Sequence, residues 1–175
     1  MQVRKYPDPV LRTPTRPVTV FDKTLADLAA EMVRTMHEVE GLGLAAPQVG
    51  RTERMAIVAA DAKPGHEQVL VNPEIVEADG WEESDEGCLS FPGIYIKVGR
   101  FTRVRVRFQD LEGRLQEMAA EDILARAVQH ELDHLDGRLL VDRMSTVQKM
   151  AQRRRLRELV DRFERNTATV AKPGG

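Results

Sequence analysis

The sequence predicts a single α+β domain with mostly antiparallel strands and helices toward both ends. Three observations support this prediction: a helical apolar pattern over residues 21–40, short runs rich in β-branched residues between about residues 54 and 109, and a return to helical periodicity after residue 121. Strands and helices that are segregated along the chain favour α+β over an alternating α/β architecture. A chain of 175 residues fits one domain, so we assign residues 1–175 to one unit.

Composition narrows the class of protein. The chain is 42% hydrophobic and 31% charged, which is typical of a globular domain, and its net charge of −2 argues against a surface that binds nucleic acid throughout. The opening MQVRKYPDPV lacks the apolar run of a signal peptide, and no segment has the roughly 20 apolar residues of a membrane span. We therefore expect a cytoplasmic protein with no membrane partner.

The first half of the chain predicts one helix and a set of strands. Residues 21–40 carry apolar side chains at helical spacing, and Gly41 is placed to end this helix. Strands are expected in MAIVAAD, QVLVNPEIVEA, IYIKV and RVRVRFQD, and the turn-forming residues 110–113, DLEG, predict a hairpin that leads into RLQEMAA.

The second half predicts two longer helices. Residues 121–136 form the first, and its helical wheel places Asp122, Arg126, Gln129, Asp133 and Asp136 on a polar, solvated side. The second spans about residues 146–165 with Ser145 as its N-cap, followed by a disordered tail over about residues 167–175.

A metal site is indicated by the segment QHELDHLDG, residues 129–137. His130 and His134 are four residues apart on the predicted helix, so both imidazoles can reach one ion, and Glu131 lies within reach of a water molecule beside that ion. The alternative is two histidines that make ordinary hydrogen bonds, but an H-E-x-x-H pattern seldom arises by chance in a chain with so few histidines. His37 and His66 lack ligand-like spacing, and we expect both at the surface.

The third ligand decides between functions. In the metalloprotease signature H-E-x-x-H-x-x-G-x-x-H the last position is histidine, but this chain has Leu140 there. Another protease arrangement takes its third ligand from a Glu some twenty or more residues downstream. Glu158 is the nearest candidate at that spacing, but it lies among arginines, where helical ion pairs are more natural. Cys88, the single cysteine, lies in DEGCLSFPG and could ligate as a thiolate, although a small buried residue or a nucleophile would also account for it.

Three segments taken together resemble one family. GLGLAAPQVG, EGCLS and QHELDHL occur in this order, and with YPDPVLR and GRLLVDRMS the chain resembles peptide deformylase along nearly its full length. The resemblance implies hydrolysis of the formyl group from the N-terminal formyl-methionine of new polypeptides, which releases formate. It also implies a divalent metal held by Cys88, His130 and His134, with Fe²⁺ expected and Zn²⁺, Ni²⁺ or Co²⁺ possible.

The resemblance also assigns roles to the remaining site residues. Glu131 would act as general base, while the Gln48 side chain and the Leu89 backbone N–H would donate to the developing oxyanion. Gly43 would bind the substrate through its backbone, and we hypothesise that the extended peptide pairs with the strand edge near GIYIKV.

Several alternatives stay open from sequence alone. A metallo-endopeptidase and a ribosome-associated protein with a structural metal are the competing functions. Arg126 and Ala127 stand where many family members have larger apolar residues near the methionine pocket, so the size and side-chain preference of that pocket stay open. Arg100 either pairs with Glu86 or is solvated. The basic C-terminal helix either contacts ribosomal RNA or is a solvated face balanced by its own carboxylates.

Overall fold

A computed structural model describes residues 1–61 and 63–170 of the chain. The α-helices are α1 (Lys23–Glu38), α2 (Asp122–Leu135), α3 (Leu140–Arg143) and α4 (Thr146–Val170), and short 3-10 helices cover Pro9–Arg12 and Ala46–Val49. The strands are β1 (Gly43–Ala45), β2 (Met55–Val58), β3 (Gln68–Asp79), β4 (Glu82–Gly87), β5 (Tyr95–Arg100), β6 (Arg103–Gln109) and β7 (Leu115–Glu121).

The strands form two separate antiparallel sheets. Five of them pair in the order β1-β2-β3-β6-β7, while β4 and β5 form a hairpin of their own. The predicted turn at residues 110–113 joins β6 to β7, with Gln109 opposite Leu115. The α+β prediction with mostly antiparallel strands is confirmed. Sequence reasoning missed β1 and β4, because β1 has three residues and β4 is mostly acidic, a composition with low strand propensity.

Helix α1 covers one face of the larger sheet. The Asp22 side chain caps it by accepting from the Leu25 N–H at 3.1 Å, and Leu28, Met32 and Met36 are buried in the core beneath it. The prediction for its end needs adjustment. The left-handed residue is Glu40, with φ of +52°, and Gly41 instead donates its N–H to the Met36 carbonyl at 2.9 Å.

Helix α2 packs against β1, β2 and β7 and lies at the centre of the molecule. The prediction that the polar side of α2 is solvated is wrong in part. Gln129 and Asp133 are buried, whereas Asp122 and Asp136 are exposed as expected. The Gln129 side chain exchanges hydrogen bonds with the Phe101 backbone in both directions, at 2.8 and 3.0 Å. Gln129 and Asp133 are buried because the β4–β5 hairpin and the segment after it cover this side of α2.

Helix α4 starts where the sequence predicts. The Ser145 hydroxyl accepts from the Gln148 N–H at 3.2 Å, and the Gln148 side chain accepts from the Ser145 N–H at 2.8 Å, which forms a reciprocal cap. The helix continues to Val170, so residues 167–170 of the predicted tail are helical, and residues 171–175 lie outside the described residues.

Within the described part, no helix combines the length and apolar character needed to cross a bilayer.

Gly137 fixes the turn after α2. Its φ is +72°, and an added Cβ would lie 2.6 Å from the Arg12 carbonyl oxygen. At Gly65, where φ is +89°, an added Cβ would meet nothing within 4 Å.

We expect Gly65→Ala to lower the free energy of unfolding by about 1–2 kcal/mol through backbone strain alone, and Gly137→Ala to lower it further. Urea unfolding of both variants measures this, and equal losses would contradict the packing argument.

Candidate active site

Three segments of the fold converge on one site. The first is β1 with the 3-10 helix after it, which carries Gly43 and Gln48. The second is the loop that follows β4 and carries Cys88 and Leu89, and the third is α2. The segments belong to the large sheet, the hairpin and the central helix respectively, so the site exists only in the folded chain.

Three metal-type donors lie together at this convergence. The ligand atoms of Cys88, His130 and His134 are all within 4.8 Å of one another, and Cys88 Sγ is 3.2 Å from His134 Nε2. One thiolate and two imidazoles are a donor set suited to zinc, iron and related divalent ions. Burial opposes ionisation of the Cys88 thiol, but the charges of the two histidines outweigh it and lower its pKa, which favours the thiolate that an ion requires.

The two positions that a metalloprotease would use for its third ligand lie away from the triad. Leu140 is buried in the apolar cluster beneath α3, and Glu158 is exposed on α4, where its carboxylate is 3.6 Å from Arg154. His66 is exposed and lies beside Asp61, as expected of a surface residue. His37 is partly buried against Glu67 at 3.2 Å, so the surface prediction is only partly met there.

Gln48 is buried and held in one orientation. Its Oε1 accepts from the Ala45 N–H at 2.8 Å, which turns the Nε2 amide toward Ser90 Oγ at 3.3 Å and Cys88 Sγ at 3.7 Å. Ser90, which sequence reasoning did not single out, is fully buried and its N–H donates to the Cys88 sulfur at 3.4 Å. The amide donor of Gln48 therefore points at the donor triad.

Glu131 packs directly on Gly43. A Cβ added to Gly43 would lie 2.2 Å from Glu131 Oε1, so the glycine leaves the space that this carboxylate occupies. The other oxygen, Oε2, is buried and makes no hydrogen bond. Burial raises the pKa of Glu131 to about 7 against the opposing charges of His130 and His134. A buried carboxylate that lacks a donor is suited to accept a proton or a hydrogen bond from a molecule entering the site.

Glu86 orients one of the histidines. Its Oε1 accepts from His130 Nδ1 at 2.7 Å and from Arg100 Nη2 at 2.7 Å, and Oε2 accepts from Arg100 Nε at 3.1 Å. The pair of Arg100 and Glu86, left open from sequence, is thus present and buried. Burial alone would raise the pKa of Glu86, but these hydrogen bonds and charges hold it well below its usual range. A carboxylate behind a histidine fixes the ring so that the opposite nitrogen faces the site.

Arg126 is not solvated, contrary to the helical wheel. Its Nη1 donates to Glu86 Oε2 at 3.2 Å and to the Val98 carbonyl at 2.9 Å, and its Nη2 donates to the Glu82 carbonyl at 3.1 Å. The hairpin that contacts this side of α2 supplies all three acceptors, and a single-helix wheel cannot anticipate it.

A cavity of about 1000 Å³ opens beside the triad. Its wall includes Gly43, Gln48, Cys88, Leu89 and Glu131, together with the apolar side chains of Leu42, Phe91, Ile94, Tyr95, Phe101 and Ile123. A cavity with apolar walls and a few convergent polar groups is the usual form of a small-molecule or peptide site.

Comparison with known proteins agrees with this arrangement. Residues 1–150 match the sequence profile of the polypeptide deformylase family. The chain belongs to this family. A peptide deformylase of Acidobacterium capsulatum is 45% identical over 157 residues, which cover 89% of this chain and 92% of that relative. One of Alkalilimnicola ehrlichii is 44% identical over 162 residues, covering 91% and 90% respectively.

Solved peptide deformylases share the fold. Peptide deformylase 1B of Arabidopsis thaliana in complex with an inhibitor has a TM-score of 0.91 at 37% identity, covering 96% of this chain and 94% of that one. A peptide deformylase from Legionella pneumophila has a TM-score of 0.86 at 40% identity and covers 98% of both chains. The family resemblance predicted from three short segments is confirmed over nearly the whole chain, and this deformylase fold includes β1 and β4, which the sequence did not predict.

The buried charges of this deformylase make its stability depend on pH. The pKa of Glu86 is lower in the folded than in the unfolded protein, so its ionised carboxylate stabilises the fold. This stabilisation is present above about pH 4.3 and is lost as pH falls toward the folded pKa. We expect Glu86→Gln to lower the free energy of unfolding of metal-free protein by about 3 kcal/mol at pH 7. The difference from wild type should shrink below pH 4.

Urea unfolding between pH 7 and pH 3.5, with a chelator present, measures this. The matched control is Glu77→Gln, because Glu77 pairs with Arg105 at 3.0 Å but is exposed; its effect should stay under about 1 kcal/mol. A Glu86→Gln deficit that keeps its size on acidification would contradict the assignment of the charge.

Proposed function

We propose that the chain hydrolyses the formyl group from the N-terminal formyl-methionine of newly made polypeptides and releases formate. The observation that carries this proposal is the meeting of a Cys-His-His donor triad, a buried unpaired carboxylate oxygen and an oriented amide donor at one cavity wall. Metal-assisted amide hydrolysis needs these three kinds of group: ion ligands, a proton acceptor and an oxyanion donor. Membership of the peptide deformylase family supports the choice of a formyl amide as substrate.

Cys88, His130 and His134 would hold one divalent ion. Fe²⁺ is our first choice, with Zn²⁺, Ni²⁺ and Co²⁺ as alternatives, and the mixed sulfur and nitrogen donors fit each of them. When bound, the ion supplies Lewis acidity, which favours deprotonation of water near neutral pH. Glu86 keeps His130 in the required orientation through the 2.7 Å hydrogen bond to Nδ1.

Glu131 would move the proton. Its free Oε2 can accept a proton from the attacking water, and a pKa raised to about 7 allows the acid to return that proton to the departing amine nitrogen. Gly43 permits this position, because any side chain there would overlap the carboxylate. The returned proton matters because the nitrogen leaves the tetrahedral intermediate far more readily as a neutral amine than as an amide anion.

Gln48 and Leu89 would stabilise the negative charge that develops on the formyl oxygen. The Gln48 amide is anchored by Ala45 and directed toward Cys88, and Leu89 follows that cysteine in the cavity wall. Each donor in such a position lowers the barrier by about 2.7–4 kcal/mol, judged from removing one such donor in another hydrolase.

The peptide would extend along β1 through the Gly43 backbone. Among the described strands β1 pairs only with β2, and on its other edge the Ala45 N–H is bound by Gln48, which leaves the Gly43 backbone for strand addition. The edge near GIYIKV is less suited to strand addition, because side chains of α4 already bind two of its carbonyls: Gln148 donates to the Lys97 carbonyl at 2.9 Å and Arg155 to the Gly93 carbonyl at 2.6 Å.

The direct test is formate release from formyl-Met-Ala-Ser by protein purified anaerobically with Fe²⁺. We expect activity in wild type and a loss of about 10²- to 10⁴-fold in Glu131→Ala, because that variant lacks the proton acceptor. Metal content of both proteins is measured in parallel so that a change in loading is not mistaken for a change in chemistry. Wild-type protein that carries metal but releases no more formate than Glu131→Ala would overturn the proposed function.

We further propose that the chain works in the cytoplasm and meets its substrate at the ribosome through α4. This helix exposes Arg153, Arg154 and Arg157, a cluster that could contact RNA phosphates. Removing α4 is a poor test, because Leu159 is buried in the core. Neutralising the three arginines to glutamine should weaken ribosome cosedimentation and flatten its salt dependence.

The control variant replaces Arg103, Arg105 and Arg107 of β6 with glutamine, which changes the net charge by the same amount on a different surface. If this control and the α4 variant lose the same amount of binding, α4 is not the contact.

A further inference from the structure

The hairpin that carries the cysteine is separate from the rest of the sheet structure. Strands β4 and β5 pair only with each other among the described strands, and Cys88 follows β4 directly. A two-stranded hairpin is only marginally stable by itself, so its position depends on what holds it. Ile96 and Val98 belong to a buried apolar cluster with Leu11, Leu139 and Met144. This cluster joins the hairpin to the N-terminal 3-10 helix and to the C-terminal segments, and among the described residues it contains none from α2.

The attachment of the hairpin to α2 is polar, and Arg126 is one of its anchors. The Arg126 side chain is only 17% exposed, and its guanidinium donates to both strands of the hairpin: to the Glu82 carbonyl on β4 and to the Val98 carbonyl on β5. Further polar contacts join the hairpin to α2: Arg100 donates to Asp133, and Glu86 accepts from His130. Gln129 binds the Phe101 backbone just after β5. Arg126 is the anchor whose own side chain starts on α2 and spans both strands.

Arg126 also shares a carboxylate with a proposed metal ligand. It precedes His130 by four residues, so both side chains lie on one face of α2. His130 Nδ1 binds Oε1 of Glu86 at 2.7 Å, and Arg126 Nη1 binds Oε2 of the same carboxylate at 3.2 Å. Glu86 therefore bridges one turn of α2 and is held at both oxygens, and it lies two residues before Cys88 on the chain.

We propose that Arg126 is a positioning residue for the metal centre: it fixes the hairpin, and with it Cys88, relative to His130. The inference rests on the proposed Cys88, His130 and His134 site. Without Arg126, Glu86 keeps its two hydrogen bonds from Arg100, so the carboxylate stays paired, but the hairpin loses its contacts at Glu82 and Val98. The distance between the cysteine and histidine donors then becomes less well fixed, and the ion is released sooner.

The experiment measures how long the ion is retained. Wild type, Arg126→Met and Arg126→Lys are loaded with Co²⁺, and a chelator challenge is followed through the thiolate-to-cobalt absorption band. Arg126→Met keeps an apolar stem without donors, and we expect it to lose Co²⁺ about 10- to 100-fold faster, the usual effect of removing an outer partner of a ligand. Arg126→Lys should be intermediate, because an ammonium cannot match three acceptors with the geometry of a guanidinium.

Arg105→Met is the matched control, because Arg105 is an exposed arginine on β6 that pairs with Glu77. It should retain Co²⁺ as wild type does. Arg126 lines the cavity, so its replacement can change KM. Under saturating Co²⁺ and saturating formyl-Met-Ala-Ser, Arg126→Met should recover most of its kcat, since the residue is not assigned to the reacting atoms. Urea unfolding of the metal-free proteins shows whether stability alone has changed.

Two results would overturn the proposal. One is a rate of Co²⁺ loss in Arg126→Met equal to that of the Arg105→Met control; if Arg126→Met does not fold, the same comparison with Arg126→Lys decides. The other is a kcat that saturating Co²⁺ does not restore, which would mean a direct role in the reaction. Failure of the proposed function is distinguishable, because wild type would then bind Co²⁺ yet release no formate.

Discussion

One buried carboxylate joins the two halves of the active site. Glu86 lies at the end of the hairpin and accepts hydrogen bonds from Arg100 on its own hairpin and from Arg126 and His130 on the central helix. Buried ionic groups are costly unless every partner is present, so this network tolerates little displacement of one element against the other. The geometry of the donor triad is therefore a consequence of how a two-stranded hairpin is held on a helix.

Sequence predicted the parts of this site that depend on local spacing. The helical periodicity located α2, the i, i+4 pair located His130 and His134, and elimination of Leu140 directed attention to Cys88. The sequence could not predict the burial of Gln129, Asp133 and Arg126, because a helical wheel describes one helix and not the hairpin packed on it. Strand β4 was not predicted for a related reason. Its acidic residues have low strand propensity, and tertiary contacts outweigh this low propensity.

Two carboxylates within the same site have opposite electrostatic environments. Glu86 is surrounded by cations and stays ionised, while Glu131 is buried without a donor on Oε2, and its pKa rises to about 7. When two environments shift the pKa values of two carboxyl groups in opposite directions, one group can serve a structural role and the other can transfer protons. Glu131 belongs to the helix that carries both histidines, and Glu86 contacts this helix from β4, so hydrogen-bond partners, and not residue type, set the difference.

The close packing of Gly43 on Glu131 also bears on inhibitor resistance. A compound that competes for the cavity and rests on the β1 backbone contacts a position that leaves no room for even a methyl group beside the carboxylate. Blocking such a compound by enlarging residue 43 would displace the acid that the proposed reaction needs. Resistance by that route would come at the expense of the proposed catalysis.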